Sequence, residues 1–478
     1  MESKMTNNNS LKQGSLGLFT VVFFVVAAAS PLTGVVGALP VTYFIGNGVG
    51  VPTMFIMAGL LLLLFSFGFV TMSKYVVNAG AFYAYIVQGI GVRSGLGGLS
   101  VALLAYTAIQ LAVSAMFGFF TDEFLRSHWG IALPWWVYST LMQMVVVFLG
   151  ISKVELGGKV LGIILLLEVG VVLLLDTVII SDAPTLTFNS FSPEVFMSGN
   201  LGISLVFAIC SFIGFEATAI YSEECKDPQK TVARATIIAV SIITLFFAIT
   251  SWSLIQSIGE NKLVAVAAAD PGLLVYNVAE AHLGGWSIQL MSLLLITSLF
   301  AATQAFHNSL ARYMFTMSRD GLVWSKMAVV HPKNNTPYIS SIVQGIIIIT
   351  ILALAAYVAM DPMMGVFAWG SVIASMSILV LQIGVCFAVI NFFRKNKHLK
   401  APLWSTLFAP IIAIIGMAVI LALVIQNLGT LSGVESPIIQ LVPWIVFGCA
   451  IFGVIWAQLI HIKNPEKFKK LRKLIEYI

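Results

Sequence analysis

Charged residues are scarce in this sequence. Asp, Glu, Lys and Arg make up 9% of its 478 residues, whereas a soluble globular domain is about 25% charged. Together with a mean hydropathy of +0.99, this scarcity excludes a soluble protein and leaves no stretch polar enough for a separate soluble domain. The net charge of +5 follows from the topology described below, so we do not expect a nucleic-acid partner.

Cysteine and histidine are also few, and they lack the spacing of metal ligands. The sequence has 4 cysteines and 6 histidines, without a CxxC pair. We expect the cysteines to be small buried hydrophobic residues, and we expect neither a metal nor a cofactor. A membrane-embedded enzyme would need a cluster of His, Asp or Cys inside its helices. The only deep acids that we identify are Glu168 and Glu216, which are far apart, so we do not expect an enzyme.

Long apolar segments recur along nearly the whole chain. A helix needs about 20 residues to cross the roughly 30 Å of hydrocarbon in a bilayer, and segments of this length favour helices over a barrel. The pattern predicts an all-α polytopic membrane protein with about twelve transmembrane helices. The predicted spans are 16–39, 51–73, 97–120, 134–151, 156–179, 200–222, 233–256, 286–311, 338–359, 364–391, 404–427 and 438–461.

Basic residues fall almost entirely on one side of this topology. If the N-terminus is cytoplasmic, all of the 25 Lys and Arg residues except Arg126 and Lys262 lie in inner segments. This is the positive-inside pattern for an even number of helices. We therefore expect a multi-pass protein of the inner membrane with two cytoplasmic tails, at 1–13 and 462–478, the second of which is basic and contacts anionic membrane lipid.

Two predicted helices are interrupted near their centres. In the first, Ala28–Gly34 contains Pro31, which removes a backbone donor and clashes with the preceding turn. In the sixth, Ser211–Ala217 contains Gly214 and Glu216, and a carboxylate at mid-membrane costs roughly 2.5 to 3.5 kcal/mol. A packing kink would explain either interruption alone. Interrupted segments at corresponding positions of two halves are typical of inverted-repeat transporters with a site at the midplane, so we pair the two segments.

Other polar side chains lie inside predicted helices. Tyr106 and Gln110 are one turn apart on one face of the third helix, where they either line a pocket or hydrogen-bond to a neighbouring helix. Glu168 in the fifth helix is either a proton relay or a neutral structural acid. His307 in the eighth helix is expected to serve packing rather than pH sensing, and Ser298 offers a hydroxyl to a cation site.

Two polar segments lie at the predicted cytoplasmic ends of helices. Asn78–Tyr85 predicts a short interfacial helix that serves as an aromatic belt or as part of a gate. Ser222–Lys230 mixes acidic and basic residues, which is typical of a solvated loop with weak ion pairs. The same segment is placed to latch the cytoplasmic gate.

Taken together, these segments resemble the amino acid-polyamine-organocation superfamily, which contains amino acid permeases and polyamine importers. The resemblance covers the chain from about Gly14 to Lys463. It implies a leucine-transporter-like, five-plus-five inverted repeat with two extra helices, and alternating access coupled to an ion, usually the proton. The implied divisions are a first repeat at 14–180, a second at 200–393 and the last two helices at 402–461. The motifs that carry the resemblance are Pro31–Gly34, Asn78–Tyr85, Phe212–Glu216, Glu223–Glu224, Asp227-Pro228 to Arg234, Ser318–Gly321, His331-Pro332 and Thr336-Pro337.

The resemblance also implies a substrate site at the paired interruptions. Backbone amides around Leu32–Gly34 would bind a substrate carboxylate at a half-helix N-terminus, and carbonyls of Ala28, Ser211 and Phe212 would accept the substrate amine. Glu216 would couple binding to protonation. The substrate-binding candidates are Ala28, Ser30, Leu32, Thr33, Gly34, Tyr106, Gln110, Ser211, Phe212, Gly214 and Phe215, and the ion-coupling candidates are Glu216 and Glu168.

Three positions depart from the family pattern. Ser30-Pro31-Leu32-Thr33 stands where many amino acid members have a glycine-serine-glycine turn, so one amide is missing from the implied carboxylate cradle. Cys210 stands where some antiporters have an aromatic gate, and Glu168 stands where certain proton-coupled members have a lysine. The first departure is more similar to polyamine importers and to a subgroup of bacterial amino acid permeases. Cys210 does not cap a substrate as an aromatic ring would, and Glu168 leaves the coupling ion open.

The expected function is secondary active transport of an amino acid by proton-coupled symport or exchange, with sodium a less favoured ion and a homodimer as an option. The alternative within transporters is import of putrescine or another polyamine, for which Glu168 and Glu216 would supply two acids. A channel is a third alternative, and it would need a ring of polar residues along a pore. Paired broken helices favour a transporter over a channel.

Overall fold

The computed structural model describes residues 14–78, 80–152, 154–431, 437–466, 468 and 471. Within these residues the regular structure is helical, apart from one β-bridge between Leu16 and Cys225. The predicted tail 1–13, much of the predicted tail 462–478, and Ala79 in the predicted interfacial segment lie outside the described residues.

Every predicted span overlaps a helix in the structure. Among the described residues, ten helices are long and apolar enough to cross a membrane, while the fourth and sixth helices are shorter. The prediction of an all-α polytopic membrane protein is therefore confirmed. In chain order the helices are α1 (Leu18–Ile45), α2 (Val51–Ser73), α3 (Val92–Trp129), α4 (Trp135–Ile151), α5 (Val154–Asp182), α6 (Leu201–Cys210 and Ala217–Ile220), α7 (Pro228–Ile258), α8 (Trp286–Arg319), α9 (Tyr338–Tyr357), α10 (Pro362–Lys395), α11 (Trp404–Gln426) and α12 (Val442–Lys463).

Some predicted boundaries differ from those in the structure. Helices α3 and α8 run on to Trp129 and Arg319, because polar residues at their ends continue the helix beyond its apolar part. The segment expected to be an outer loop, 259–285, instead contains two helices, Leu263–Ala269 and Leu274–Leu283, bent by 112°. Asp270 ends the first of them and accepts a hydrogen bond from the Leu273 amide at 3.1 Å.

Alternating helices give the bundle two chemically different ends. The basic end is where α2, α4, α6 and α8 finish, and the opposite end is called the outer end here. Tyr83 of the short helix Phe82–Gly89 donates to Asp320 at the basic end. At the outer end Asn189 donates to Glu260.

Helices α11 and α12 form part of the periphery. Trp444 and Phe452 of α12 are 74% and 63% exposed, which fits a face turned to lipid. In contrast, α3 is buried along much of its length, with Ala105 and Tyr106 fully enclosed. The core therefore lies around α1, α3, α6 and α8, where both interruptions are found.

Candidate substrate site

The interruption of α1 is set by Ser30 and Pro31. Ser30 has a left-handed backbone, with φ 47° and ψ 67°, and Pro31 starts the next turn without an N–H group. The Ser30 hydroxyl donates to Thr33 Oγ1 at 2.6 Å and shares a hydrogen bond of 2.8 Å with the Ser298 hydroxyl of α8. The break is therefore fastened by side chains, and Ser298 is one of its partners.

The interruption of α6 lies between Cys210 and Ala217, and Gly214 is the residue that requires it. Its φ is +111°, a conformation that side-chain-bearing residues rarely adopt. A Cβ atom on Gly214 would lie 2.7 Å from the Cβ of Ala28 and 3.6 Å from the Phe306 ring. The two interruptions thus touch each other, as the pairing of Ala28–Gly34 with Ser211–Ala217 requires.

Glu216 is fully buried and its carboxylate is held on both sides. Tyr106 of α3 donates to Oε1 at 2.5 Å, and the backbone amide of Gly214 donates to Oε2 at 3.1 Å. The Tyr106 ring packs against Phe306 and Tyr313, with centroids 6.2 and 5.6 Å away. Glu216 therefore joins the break in α6 to α3.

Glu168 lies on the other side of the α1 break and is also fully buried. The Ser298 hydroxyl and the Leu32 backbone amide are its polar neighbours. Neither carboxylate oxygen has a hydrogen bond of acceptable geometry. The amide end of the second half of α1 thus points at a carboxylate of α5, in the place where a substrate carboxylate was expected.

Gln110 lies in a buried chain of polar side chains that links four helices. It donates to Gln143 of α4 at 3.2 Å and accepts from Gln344 of α9 at 2.9 Å. Gln143 Nε2 lies 3.3 Å from His307 Nδ1 of α8, whose other ring nitrogen bonds to Ser341 at 2.7 Å. Gln110 therefore contacts neighbouring helices, and His307 serves the same packing network.

The aromatic residues near the α6 break are packed against helix side chains. Phe212 and Phe215 are each 1% exposed, and the Phe215 ring meets Phe65 of α2 edge to face at 5.9 Å. Ser211 is buried, with its hydroxyl donating to the Phe207 carbonyl at 3.0 Å. These three side chains do not line the cavity described next.

A cavity of about 760 Å³ leads from the outer end to a floor beside the breaks. Its floor includes Gly37 of α1 and Cys210 of α6, whose thiol lies 2.6 Å from the Ser375 hydroxyl. The thirteen predicted site residues are absent from the lining, which reaches only the neighbours of the α6 segment. The acidic and aromatic lining residues are Glu123, Asp270, Phe44, Phe119, Phe120, Phe124, Phe207, Tyr276 and Phe367.

Comparison of the sequence with known protein families identifies the family to which the chain belongs. The amino acid permease family matches residues 20–470. The chain belongs to the amino acid permease family. The expected superfamily is confirmed, and the chain is a multi-pass membrane protein of a transporter family.

Relatives of the permease carry transporter names. The branched-chain amino acid permease BcaP of Bacillus subtilis is 25% identical over 469 residues, covering 94% of each chain. The methylthioribose transporter of the same organism is 24% identical, covering 88% of this chain and 87% of its own. The Asc-type amino acid transporter 1 of Mus musculus is 24% identical over 54% of this chain and 50% of its own.

Charged side chains form two ion pairs at the basic end of the permease. Arg312 of α8 donates two hydrogen bonds, of 2.6 and 3.2 Å, to Glu224, and both side chains are almost fully buried. Arg319 and Glu223 form a second two-bond pair at 2.9 Å. Next to it, burial raises the pKa of Asp320 to about 6, although Arg319 and the hydrogen bond from Tyr83 oppose this shift. The Ser222–Lys230 segment is thus tied to α8 through Glu223 and Glu224.

The halves of α1 and α6 are bonded pairwise in the permease. At the outer end the Asn200 amide donates to the Gly46 carbonyl at 3.0 Å, and the Asn47 amide donates to the Ser204 hydroxyl at 2.9 Å. At the basic end the Leu16 amide donates to the Glu224 carbonyl at 3.0 Å. Each half of α1 therefore has a partner half in α6.

The sequence reasoning missed one buried acid. Asp176 of α5 is 2% exposed, so the prediction that Glu168 and Glu216 were the only deep acids is wrong. Thr250 of α7 donates to Asp176 at 2.7 Å, and the Ser253 hydroxyl donates to its other oxygen. The signal was available, because Asp176 lies inside the predicted span 156–179, where an acidic residue is functional by default.

Proposed function

We propose that this permease is a secondary active transporter that moves an amino acid across the inner membrane by alternating access, with both termini in the cytoplasm. The observation that carries the proposal is the contact between the two interruptions, at Ala28 and Gly214. It is supported by the asymmetry of the bundle, which has a cavity open at the outer end and buried ion pairs closing the basic end. On this proposal the structure represents the outward-open state.

The substrate would enter from the outer end and bind where the cavity floor meets the breaks. The floor at Gly37 and Cys210 is adjacent to the segments Ala28–Gly34 and Ser211–Ala217. Binding there requires a local rearrangement that frees backbone groups at the breaks, because Phe212 and Phe215 are packed away. The predicted substrate-binding residues therefore remain part of the proposal.

The lining favours a substrate with an apolar side chain. Phe44, Phe120, Phe207 and Phe367 are among the aromatic residues that line the cavity, and apolar walls with few polar groups select apolar ligand parts. The name of the branched-chain relative, whose alignment covers 94% of each chain, points the same way. We propose a branched or aromatic amino acid as the substrate.

Protons would be coupled through Glu216 and Glu168. Both carboxyl groups are fully buried and both touch a break, Glu216 through the Gly214 amide and Glu168 beside the Leu32 amide. An intramembrane carboxyl is costly when ionised and unpaired. Movement at the breaks would change the donors around each carboxyl, and with them its protonation.

Import of a polyamine is the second candidate. Glu123 and Asp270 both line the outer part of the cavity and lie near enough to repel each other. Two carboxylates at an entrance attract cations. These carboxylates would attract the amino groups of a polyamine, although no acidic residue lines the floor of the cavity at Gly37 and Cys210.

Uptake into proteoliposomes separates the two candidates. We expect labelled leucine or phenylalanine to accumulate under an inward proton gradient, and unlabelled branched-chain amino acids to compete. Accumulation of labelled putrescine that no amino acid reduces, without accumulation of leucine or phenylalanine, would replace the first candidate by the second. A thermal-shift panel gives an independent measurement, because a ligand that binds only the folded protein raises its stability by mass action.

A further inference from the structure

Asp176 has no role in the transport scheme above, yet both of its carboxylate oxygens accept hydrogen bonds from side chains. It lies on α5 within an apolar run and is 2% exposed. Its two oxygens accept separate hydrogen bonds from Thr250 and Ser253, both on α7. Polar groups of this kind inside a membrane helix are costly and usually functional.

The hydroxyl of Ser253 can serve both protonation states of Asp176. It donates to the carboxylate, and it also lies 3.0 Å from the Thr250 carbonyl oxygen, a second acceptor. When the carboxyl is ionised, Ser253 and Thr250 both donate to it. When it is protonated, Ser253 can turn its hydrogen to the Thr250 carbonyl and accept the acid proton. Both states therefore keep their hydrogen bonds, and a change of protonation leaves no buried group unsatisfied.

Asp176 is also next to the outer half of α1. Tyr43 of that half interacts electrostatically with Asp176 and donates to the Ser251 carbonyl of α7 at 2.9 Å. Val41 and Phe44 of the same half line the cavity. The outer half of α1 therefore has the cavity on one face and the Asp176 cluster on another.

Few other titratable groups face this cluster. On α5 itself, Glu168 lies two turns towards the basic end, and Asp182 lies nearer the outer end, 3.4 Å from His282 of the helix Leu274–Leu283. Tyr43 is the titratable group that α1 presents, and α7 presents only the hydroxyls of Thr250 and Ser253. The outer half of α8, 286–300, which also belongs to a helix packed against α5, contains no titratable residue. The charge state of Asp176 thus acts mainly on the outer half of α1 and on α7.

We propose that Asp176, with Thr250 and Ser253, is a second proton-binding site, and that its occupancy biases the outer half of α1 towards closing the cavity. The proposal rests on the alternating-access function proposed above. Closing swings the outer half of α1 towards the cavity and away from the Asp176 cluster on its other face, and a neutral carboxyl loses less than a buried carboxylate does when the polar Tyr43 hydroxyl moves away. Acid outside therefore favours closure, and alkali favours the open cavity.

Infrared spectroscopy tests proton binding directly. We expect pH-difference spectra of the purified protein to contain a carboxylic-acid C=O band that is lost in Asp176→Asn and retained in Asp182→Asn, a matched change near the outer end of the same helix. Ser253→Ala should keep the band but shift its frequency, because one hydrogen-bond partner is gone. This variant keeps the test decisive if Asp176→Asn fails to fold. A spectrum unchanged by both Asp176→Asn and Ser253→Ala would overturn the proposal.

Labelling of Cys210 tests the effect on the cavity. Cys210 lines the cavity, whereas Cys225 and Cys386 are buried and Cys449 is partly buried, so a Cys449→Ala background isolates the signal. An impermeant thiol reagent is applied at a series of external pH values. The ratio of the rates for the background protein and for its Asp176→Asn variant removes the thiol's own pH dependence.

We expect that ratio to fall by about fivefold or more from alkaline to acidic external pH, the lower range of typical coupling between sites. Asp182→Asn should give the same pH profile as the background protein. A ratio independent of pH, or one that responds to sodium instead of acid, would overturn the proposal. Labelling requires no substrate, so failure of amino acid uptake with a normal labelling profile would count against the proposed function and leave the Asp176 site standing.

Discussion

Replacing Gly214 by alanine should lower the stability of the protein for two reasons, which a matched variant and a double mutant can separate. The first is conformational: the φ of +111° is disfavoured for any residue with a Cβ, at about 1 to 3 kcal/mol. The second is steric: the new Cβ would lie 2.7 Å from the Ala28 Cβ, about 1 Å inside the optimal separation of two carbon atoms. The steric cost falls on the contact between the two breaks.

A matched variant isolates the steric cost. Gly259 also has a positive φ, of +88°, and a Cβ there would meet no atom within 4 Å. Gly259→Ala should lower the melting temperature and leave substrate binding intact. Gly214→Ala should lower the melting temperature further and weaken substrate binding, measured by ligand-induced thermal shift and by counterflow in proteoliposomes.

A double-mutant cycle gives the deciding result. Ala28→Gly removes the atom that the new Cβ would strike, so Ala28→Gly with Gly214→Ala should recover part of the stability lost by Gly214→Ala alone. Sites without contact are additive within about 0.3 to 0.5 kcal/mol. Additivity within that range, or normal binding in Gly214→Ala, would refute the contact between the breaks on which the proposed function depends.

Three further predictions use the charged groups. Glu216→Gln should abolish proton-driven accumulation and retain some exchange, measured as uptake against external pH; an unchanged pH profile would argue against its coupling role. Glu224→Gln leaves Arg312 buried with a weaker partner, and breaking such a pair costs up to about 3 to 5 kcal/mol. The melting temperature should therefore fall, and labelling by a thiol reagent applied from the basic end should become faster. Lys230→Gln, which removes a charge from an exposed pair, is the control. The raised pKa of Asp320, about 6, means that its contribution to stability is present below its ordinary pKa and is lost as pH rises through about 6. Asp320→Asn should remove that slope from the melting temperature between about pH 4 and 6, and a slope equal to wild type would contradict the assignment.

The helices of this permease could be predicted because their signals are local. Apolar length is enough to indicate a span, and Pro31 and Gly214 mark the two breaks by their own backbone chemistry. The ends of α3 and α8 could not be predicted from the sequence, because their last turns are polar and continue the helix outside the apolar part. Local patterns carry no information on where a helix stops once it has left the hydrocarbon.

The partners of the buried polar residues could not be predicted. Tyr106 binds Glu216 across 110 positions of sequence, and Gln110 meets Gln143 and Gln344 on two other helices. Such contacts depend on the rotation of each helix about its axis, which apolar helices with weak amphipathicity do not encode locally. The same reason explains why the cavity reaches Cys210 while Ser211 and Phe212, the next residues of the chain, are covered.

Pairwise bonding of the broken helices limits how the cavity can close. The outer halves are joined through Gly46 and Asn200, and the basic halves through Leu16 and Glu224. Between these ties α1 breaks at Ser30 and α6 breaks around Gly214, so under the proposed alternating access these are positions where each pair can swing with little loss of backbone bonds. A swing of the outer pair moves Tyr43 relative to Asp176, whereas a swing of the basic pair strains the bond between Glu224 and Arg312. The two acids that touch the breaks, Glu168 and Glu216, lie between these movements and can respond to either one.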